Sequence, residues 1–149
     1  MNWELTRFSH FTTHALYAVL RLRQEVFVLE QNCVYLDLDD LDQRSEHLLG
    51  WEEGELLAYL RCMPPGLSYP QSSIGRIVVS SAARGRDLGR ELVKKGIAHN
   101  LKTWPNTDIR IGAQAYLETF YTQLGFVTDG ESYIEDGIEH IHMNLVNNA

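Results

Sequence analysis

Apolar and polar residues follow two different periods along the chain. Residues 3–8, WELTRF, alternate between the two classes and predict a first strand. Over residues 13–31 apolar residues recur every three to four positions, which predicts a long amphipathic helix with Thr12 or Thr13 as its N-cap. The helical period returns over residues 88–104 and, more briefly, over residues 116–125, where a glycine at a C′-type position ends the segment.

Shorter apolar segments lie between and after these helices. Residues 45–63 predict a hairpin that turns at Glu53-Gly54. The β-branched residues 74–80 predict a central strand, and residues 108–113 predict another. Three closing strand-like segments include a hairpin turn at Asp136-Gly137.

The connecting segments complete the predicted architecture. Residues 32–44 form an acidic loop, and residues 64–73, which hold three of the four prolines, predict a surface loop. No repeat or interdomain linker separates the segments. Their order predicts an α/β fold, a mixed central sheet flanked by helices, in a single domain over residues 1–149.

Charge is unevenly distributed in this acidic chain, whose 13 basic and 20 acidic residues give a net charge of −7. Between residues 25 and 55 one base, Arg44, stands among the acids Glu25, Glu30, Asp37, Asp39, Asp40, Asp42, Glu46, Glu52, Glu53 and Glu55. A basic stretch follows later, made of Arg84, Arg86, Arg90, Lys94 and Lys95. This separation suggests a cationic ligand and an anionic one; two ordinary solvated faces are the alternative.

Other features narrow the class of protein. The net negative charge argues against general nucleic-acid binding, and no apolar run approaches the roughly 20 residues of a membrane span. Cys33 and Cys62 are isolated thiols, which suits a reducing compartment and predicts a cytoplasmic protein. His140 and His142 share a strand face, but two ligands are too few for a metal site, so no metal is expected.

The stretch SSAARGRDLGRELVKKG, residues 80–96, joins a strand to a helix through a basic turn with two glycines. Such a turn leaves several main-chain N–H groups unpaired at the positive end of the helix dipole, which favours a bound anion. Arg84, Arg86 and Arg90 add charged donors suited to a pyrophosphate or a 3′-phosphate. The stretch lacks both the Gly-Lys-Ser/Thr ending of a Walker A loop and the G-x-G-x-x-G dinucleotide motif. It therefore predicts a different phosphate cradle.

Two motifs resemble those of the GNAT acetyltransferase superfamily. VVSSAARGRDLGRELV is similar to its R-x-x-G-x-G/A coenzyme A motif, and FYTQLGF, residues 120–126, to its LY-x-x-x-GF element. Further segments resemble the ElaA-like bacterial branch: RLRQEVFVLEQ, YLDLDDLDQ, HLLG, AYLR, IGRIVV, AQAYLETFY and EDGIEHIHM. The resemblance spans nearly the whole chain. It implies a GNAT fold, acetyl-CoA as co-substrate, and direct transfer of the acetyl group to a primary amine on a small molecule or a peptide.

The resemblance also implies which residues hold the co-substrate. The main chain of Ile77, Val78 and Val79 would hold the acetyl carbonyl and the pantetheine. The pyrophosphate would lie on Arg84, Gly85, Arg86, Asp87, Leu88, Gly89 and Arg90. Asp87 departs from the motif, because it stands where the first glycine is expected, and its charge predicts weakened binding. Either Gly85 absorbs the turn or the Asp87 side chain turns away and caps the helix.

Tyr121 is the catalytic residue that the resemblance implies, in the role of protonating the coenzyme A thiolate as it leaves. The alternative role is packing in the core face of a short amphipathic helix. No motif marks the base that deprotonates the acceptor amine, because residues 74–81 contain no acid. Candidates are a water chain or the side chains of Glu30, Asp37, Glu46, His47 and His140.

Two further expectations concern ligands and partners. The acidic loop is expected either to bind the cationic amine by charge or to be solvated. A non-catalytic, coenzyme A-binding regulatory domain is the alternative to an enzyme, because of Asp87 and the missing strand acid. A homodimer through the C-terminal strands is compatible with this kind of fold.

Overall fold

The computed structural model describes residues 1–148, which form strands and helices. The strands are β1 (Asn2–Arg7), β2 (Glu46–Glu52), β3 (Glu55–Met63), β4 (Ser73–Val79), β5 (Ile109–Gln114), β6 (Val127–Thr128), β7 (Tyr133–Glu135) and β8 (Ile138–Leu145). The α-helices are α1 (Thr13–Arg23), α2 (Leu88–Thr103) and α3 (Glu118–Gln123). A π-helical segment, Gln24–Glu30, extends α1.

The strands form two antiparallel sheets that meet between β4 and β5. One sheet has the order β1-β2-β3-β4, and the other has the order β5-β8-β6 with β7 also paired to β8. A parallel bridge between Ser72 and Ile109 joins the sheets, and the Arg110 N–H donates to the Ser72 carbonyl at 2.9 Å. The predicted α/β fold with a mixed sheet is confirmed. Among the described residues the strands pair antiparallel, and the parallel contact is the bridge between Ser72 and Ile109.

The helix over α1 begins as its sequence predicts. Thr12 Oγ1 accepts a hydrogen bond from the Ala15 N–H at 3.0 Å, so Thr12 rather than Thr13 is the N-cap. From Gln24 onward the helix widens, with the Gln31 N–H donating to the Val26 carbonyl at 3.1 Å. This widening rotates the end of the segment, and Leu29, predicted on the apolar stripe, is exposed.

The predicted turns have the backbone geometry that tight hairpins require. Glu53 and Gly54 have φ values of 52° and 77°, and Asp136 and Gly137 have values of 50° and 76°. Two successive positive φ values match the twist of the flanking strands, which explains the Xaa-Gly pairs. The glycine predicted to end α3, Gly125, also has a positive φ, of 106°.

Helix α2 packs on the sheet face opposite α1 through Gly96, which lies against the fully buried Leu60. A Cβ at Gly96 would stand 2.8 Å from Leu60 Cδ2 and 3.4 Å from Ile74 Cδ1. The glycine therefore sets how closely the helix approaches the sheet. None of the helices in residues 1–148 is long and apolar enough to cross a membrane.

Replacing Gly96 with leucine is expected to lower the free energy of unfolding by about 2 kcal/mol, because the buried Leu60 has no room to move aside. The matched control is Ala98→Leu on the exposed face of the same helix, with an expected change within about 0.5 kcal/mol. Urea unfolding of both variants measures the difference. Equal stabilities would show that α2 shifts freely on the sheet.

Candidate active site

A cleft of about 1000 Å³ opens where β4 and β5 diverge beyond the Ser72–Ile109 bridge. Its walls come from both strands, the π-helical segment, the loop before α2, and α3. The acidic loop and the closing β7–β8 hairpin also contribute residues. The cleft thus lies where segments distant in sequence converge.

A bulge in β4 shapes the middle of the cleft. Tyr59 of β3 pairs with Val78, whereas Arg61 pairs with Gly75, so β4 holds one residue more than β3 between these pairs. Arg76 accommodates the extra residue with a φ of 50°. The pairing with β3 is interrupted at Arg76 and Ile77, while Ile77, Val78 and Val79 all line the cleft.

The turn before α2 has a backbone geometry compatible with the anion site that the sequence predicts. Gly85 and Asp87 both have left-handed backbones, with φ values of 83° and 57°. No hydrogen bond joins the main-chain N–H groups of residues 84–90 to another of residues 1–148. These groups lie at the N-terminus of a 16-residue helix. In its first turn, a Cβ at Gly89 would stand 3.8 Å from Val79 Cγ2. The residues present therefore fit a phosphate ligand.

Each arginine of this turn has an acidic or amide partner. Arg84 forms an ion pair with Glu30 and also donates to the Val79 carbonyl. Arg86 pairs with Glu52, and Arg90 donates to the Gln123 side chain at 2.9 Å. Asp87 lies in the same turn, and its carboxylate is 3.5 Å from Arg90 Nε. Residues 84–90 are called the cradle below. All of these pairs are substantially exposed, so a bound phosphate competes with weak partners.

Tyr121 lies on α3 and lines the cleft, although it is only 5% exposed. Its ring makes edge contacts with Phe120 and Phe126, at centroid distances of 5.1 and 5.9 Å. No hydrogen bond joins its phenolic oxygen to another of residues 1–148. The pKa of the Tyr121 phenol is raised above its ordinary value, mainly by burial and to a smaller extent by the nearby Tyr116. Tyr121 is thus a core residue whose side chain also lines the cleft.

Two of the five candidate bases, Glu30 and His140, line the cleft. Glu30 is bound to Arg84. His140 Nδ1 donates to the Ile138 carbonyl at 2.7 Å, because a carbonyl only accepts. In the neutral ring this leaves Nε2 unprotonated, 3.8 Å from the Glu135 carboxylate.

The structure does not bring the other three candidates to this cleft. His47 is 1% exposed, and its Nε2 donates to the Asp42 carbonyl while Nδ1 accepts from the Tyr59 hydroxyl. Burial lowers the pKa of His47. Asp37 is buried among arginines, and Glu46 pairs with His99 beside a separate cleft of about 440 Å³.

The sequence profile of the acetyltransferase (GNAT) domain family matches residues 15–147. The chain belongs to the GNAT acetyltransferase family. A protein of Synechocystis sp. (strain PCC 6803) is 45% identical to this GNAT chain over 144 residues, which cover 96% of this chain and 94% of the relative. ElaA of Escherichia coli K12 is 41% identical over 145 residues, covering 96% and 95%. The predicted resemblance to the ElaA-like branch is confirmed.

Two solved structures share the fold of this GNAT protein at close range. An acyl-CoA N-acyltransferase from Pseudomonas aeruginosa superposes with a TM-score of 0.92 at 42% identity, covering 98% of this chain and all of the other, 100%. Escherichia coli ElaA superposes with a TM-score of 0.91 at 39% identity, covering 97% and 99%.

Three of the four aspartates of the acidic loop in this GNAT protein are engaged by arginines, whereas Asp40 is exposed. The three carboxylates form ion pairs with three arginines that come from α1, β3 and β4. The members of this cluster, called the Arg–Asp network below, are Arg23, Arg61, Arg76, Asp37, Asp39 and Asp42. Its formal charges balance. For Asp37, Asp39 and Asp42 the expectation was therefore wrong in both forms, since these acids neither present a free charge to a cationic amine nor lie in solvent.

Sequence reasoning missed several residues that line the cleft. Arg61, Arg76, Tyr69 and Glu135 all lie there. The chain contains one usable signal for the network: Arg23 falls on the same helical face as the buried Val19, four positions earlier. Among residues 1–148 no group of three or more His, Cys, Asp and Glu side chains is arranged to hold a metal.

Asp87 is the residue of the cradle with the clearest expected effect on binding. Its side chain forms no cap hydrogen bond, and its backbone is left-handed, so both Gly85 and Asp87 absorb the turn. Replacing Asp87 with glycine is expected to tighten coenzyme A binding about threefold, because the turn relaxes and a carboxylate beside the anion site is removed. Isothermal titration calorimetry measures the change, and Asp87→Asn separates charge from backbone strain. Unchanged or weaker binding would rule out an electrostatic penalty.

Proposed function

We propose that this GNAT protein is an acetyl-CoA-dependent N-acetyltransferase that moves the acetyl group directly to a primary amine. The observation that carries the proposal is the continuity of the cleft. Arg84 and Gly89 of the cradle, the bulged main chain of β4 and the Tyr121 side chain all line it. The Pseudomonas aeruginosa protein of the same fold, an acyl-CoA N-acyltransferase, supports the same class of reaction.

The proposed roles follow from this arrangement. The free N–H groups of residues 84–90, with Arg84, Gly85, Arg86, Leu88, Gly89 and Arg90, hold the pyrophosphate of acetyl-CoA. The main chain at Ile77, Val78 and Val79 holds the pantetheine and polarises the acetyl carbonyl, since all three residues line the cleft and the bulge releases Ile77 from pairing with β3. Tyr121 gives its proton to the thiolate that departs.

His140 is the favoured base for the incoming ammonium group. Its Nε2 is unprotonated in the neutral ring, whereas the Glu30 carboxylate is held by Arg84. Asp37, Glu46 and His47 lie outside the cleft, so they would act only through a water chain. Direct transfer needs no cysteine nucleophile, and both Cys33 and Cys62 are free and buried.

The experiment follows thiol release from acetyl-CoA with a panel of primary amines. Amine-stimulated release, reduced in Tyr121→Phe, supports the enzyme. Thermal stabilisation by coenzyme A without amine-stimulated release supports the second candidate, a coenzyme A-binding regulatory domain, which Asp87 in the cradle favours. No stabilisation by coenzyme A would contradict both.

Three further proposals concern the domain organisation, the location and the oligomeric state of the protein. A single domain over residues 1–149, a cytoplasmic location and a homodimer through the C-terminal strands are proposed on the grounds given by the sequence. The unpaired thiols of Cys33 and Cys62 support a reducing compartment. The co-substrate needs no metal in the proposed reaction.

A further inference from the structure

Two guanidinium groups of the Arg–Asp network line the cleft, Arg61 from β3 and Arg76 from β4. Both are fixed by carboxylates of the acidic loop. Arg61 donates to Asp39 and Asp42 at 2.8 and 2.9 Å through Nη1. Arg76 Nε lies 2.8 Å from the Asp37 carboxylate. The acidic loop therefore positions these two groups at the cleft.

One side-chain nitrogen of Arg61 and two of Arg76 have no hydrogen bond among residues 1–148. The Arg61 side chain is 3% exposed, and its Nε has no hydrogen bond. That nitrogen lies 3.9 Å from where a Cβ of Gly75 would stand, and Gly75 itself lines the cleft. Arg76 Nε lies close to the Asp37 carboxylate but has no hydrogen bond, and Arg76 Nη1 makes none with the described residues. A buried donor without a partner is costly, so an acceptor oxygen that reached these nitrogens from the cleft would be stabilised.

A group of opposite charge lines the same cleft from the β7–β8 hairpin. Glu135 has no arginine or lysine partner among the described residues, and its carboxylate lies 3.8 Å from His140 Nε2. Behind His140 lies the ring of Tyr133, stacked on it at a centroid distance of 5.8 Å. A carboxylate favours an ammonium group.

We infer that the acceptor is a zwitterionic α-amino acid, whose carboxylate accepts from Arg61 Nε and Arg76 Nη1 and whose ammonium group lies toward Glu135 and His140. This inference rests on the proposed N-acetyltransferase function. An amine without a carboxylate would leave the buried Arg61 donor unsatisfied. An acid without an amine would face the Glu135 carboxylate, which has no arginine or lysine partner among the described residues.

The test compares proteinogenic α-amino acids with their carboxamides, which differ only in the carboxylate. Binding is measured by calorimetry with coenzyme A present, and turnover by thiol release from acetyl-CoA. At least one amino acid is expected to bind about tenfold tighter than its carboxamide, because a charge-assisted pair is lost in the amide.

Two variants locate the preference. Arg76→Gln is expected to abolish most of it. Gly75→Ala keeps every charge but places a methyl group against Arg61 Nε and 3.1 Å from Met63 Cε, so it is expected to reduce the preference as well. The control, Arg21→Gln, changes a 72% exposed arginine on α1 and is expected to keep the preference. Melting temperature and coenzyme A affinity, compared with the wild type, show that each variant is folded.

The outcomes separate this inference from the proposed function. Carboxamides that bind as well as the amino acids, or better, overturn the inference even if they are acetylated. An amino-acid preference in binding without thiol release supports the carboxylate site and contradicts the enzyme. A preference that survives both Arg76→Gln and Gly75→Ala shows that the carboxylate binds elsewhere, which also overturns the inference.

Discussion

Replacing Tyr121 with phenylalanine is expected to lower kcat about a hundredfold while the KM for acetyl-CoA changes little. The proposed role of the hydroxyl is confined to the transition state, in which the thiolate develops charge and needs a proton. The ring is held by Phe120 and Phe126, and the hydroxyl has no hydrogen bond to lose within residues 1–148. Phenylalanine therefore preserves the packing and removes only the acid.

Steady-state kinetics with the best amine of the panel measures this effect. Because burial raises the pKa of Tyr121, its proton stays in place throughout an ordinary assay range, and the loss in Tyr121→Phe should be similar from pH 6 to pH 9. The matched control is Tyr17→Phe on the exposed face of α1, with kcat expected within about twofold of the wild type. A kcat for Tyr121→Phe equal to that of this control would leave Tyr121 as a packing residue only.

Local patterns in the sequence predicted most of the fold. The Thr12 cap, the hairpin turns at Glu53-Gly54 and Asp136-Gly137, and the helix end at Gly125 all depend on neighbouring residues, so they are visible in short segments. The divergence of β4 from β5 is not visible in this way. It depends on where the two strands meet, at the bridge between Ser72 and Ile109, and these residues are far apart in sequence.

The Arg–Asp network shows the same limit at the candidate site. Apart from Arg23, whose helical face is apolar, the arginines look like surface charges on their own strands, and the partners of all three are between 14 and 39 residues away. Only the fold shows that three aspartates of the acidic loop are neutralised and that Arg61 and Arg76 reach the cleft. The phosphate cradle was accessible from the sequence because a strand, a turn and a helix start follow one another directly.

Removing the charge of Asp42 is expected to give the largest loss of stability. Its carboxylate accepts from Arg23 Nη1 at 2.8 Å and from Arg61 Nη1 at 2.9 Å, and both guanidinium groups are almost fully buried. Asp42→Asn keeps the side-chain size but leaves two buried cations facing one carboxylate fewer. The free energy of unfolding is expected to fall by about 3 kcal/mol.

Chemical unfolding measures this loss, and Glu25→Gln is its control. Glu25, in the π-helical segment, forms an exposed pair with Arg21 of α1, so the loss of its charge is expected to change stability by less than about 0.5 kcal/mol. Similar effects of the two substitutions would show that the network contributes no more than a surface ion pair.

The pH dependence of stability should show the same network. Burial alone would raise the pKa of Asp39, but Arg61 and Arg76 outweigh it and lower the pKa to about 2; Arg23 and Arg61 likewise outweigh burial and lower the pKa of Asp42. Because both pKa values lie below the unfolded value of about 3.9, the contribution is complete above pH 4 and is lost as the pH falls toward 2. His47, whose pKa burial lowers, adds an earlier loss that begins below about pH 6.5. The free energy of unfolding of the wild type should therefore fall in two steps on acidification. In Asp42→Asn the step below pH 4 should be smaller. An unchanged acid step in the variant would place the titrating carboxylates outside the network.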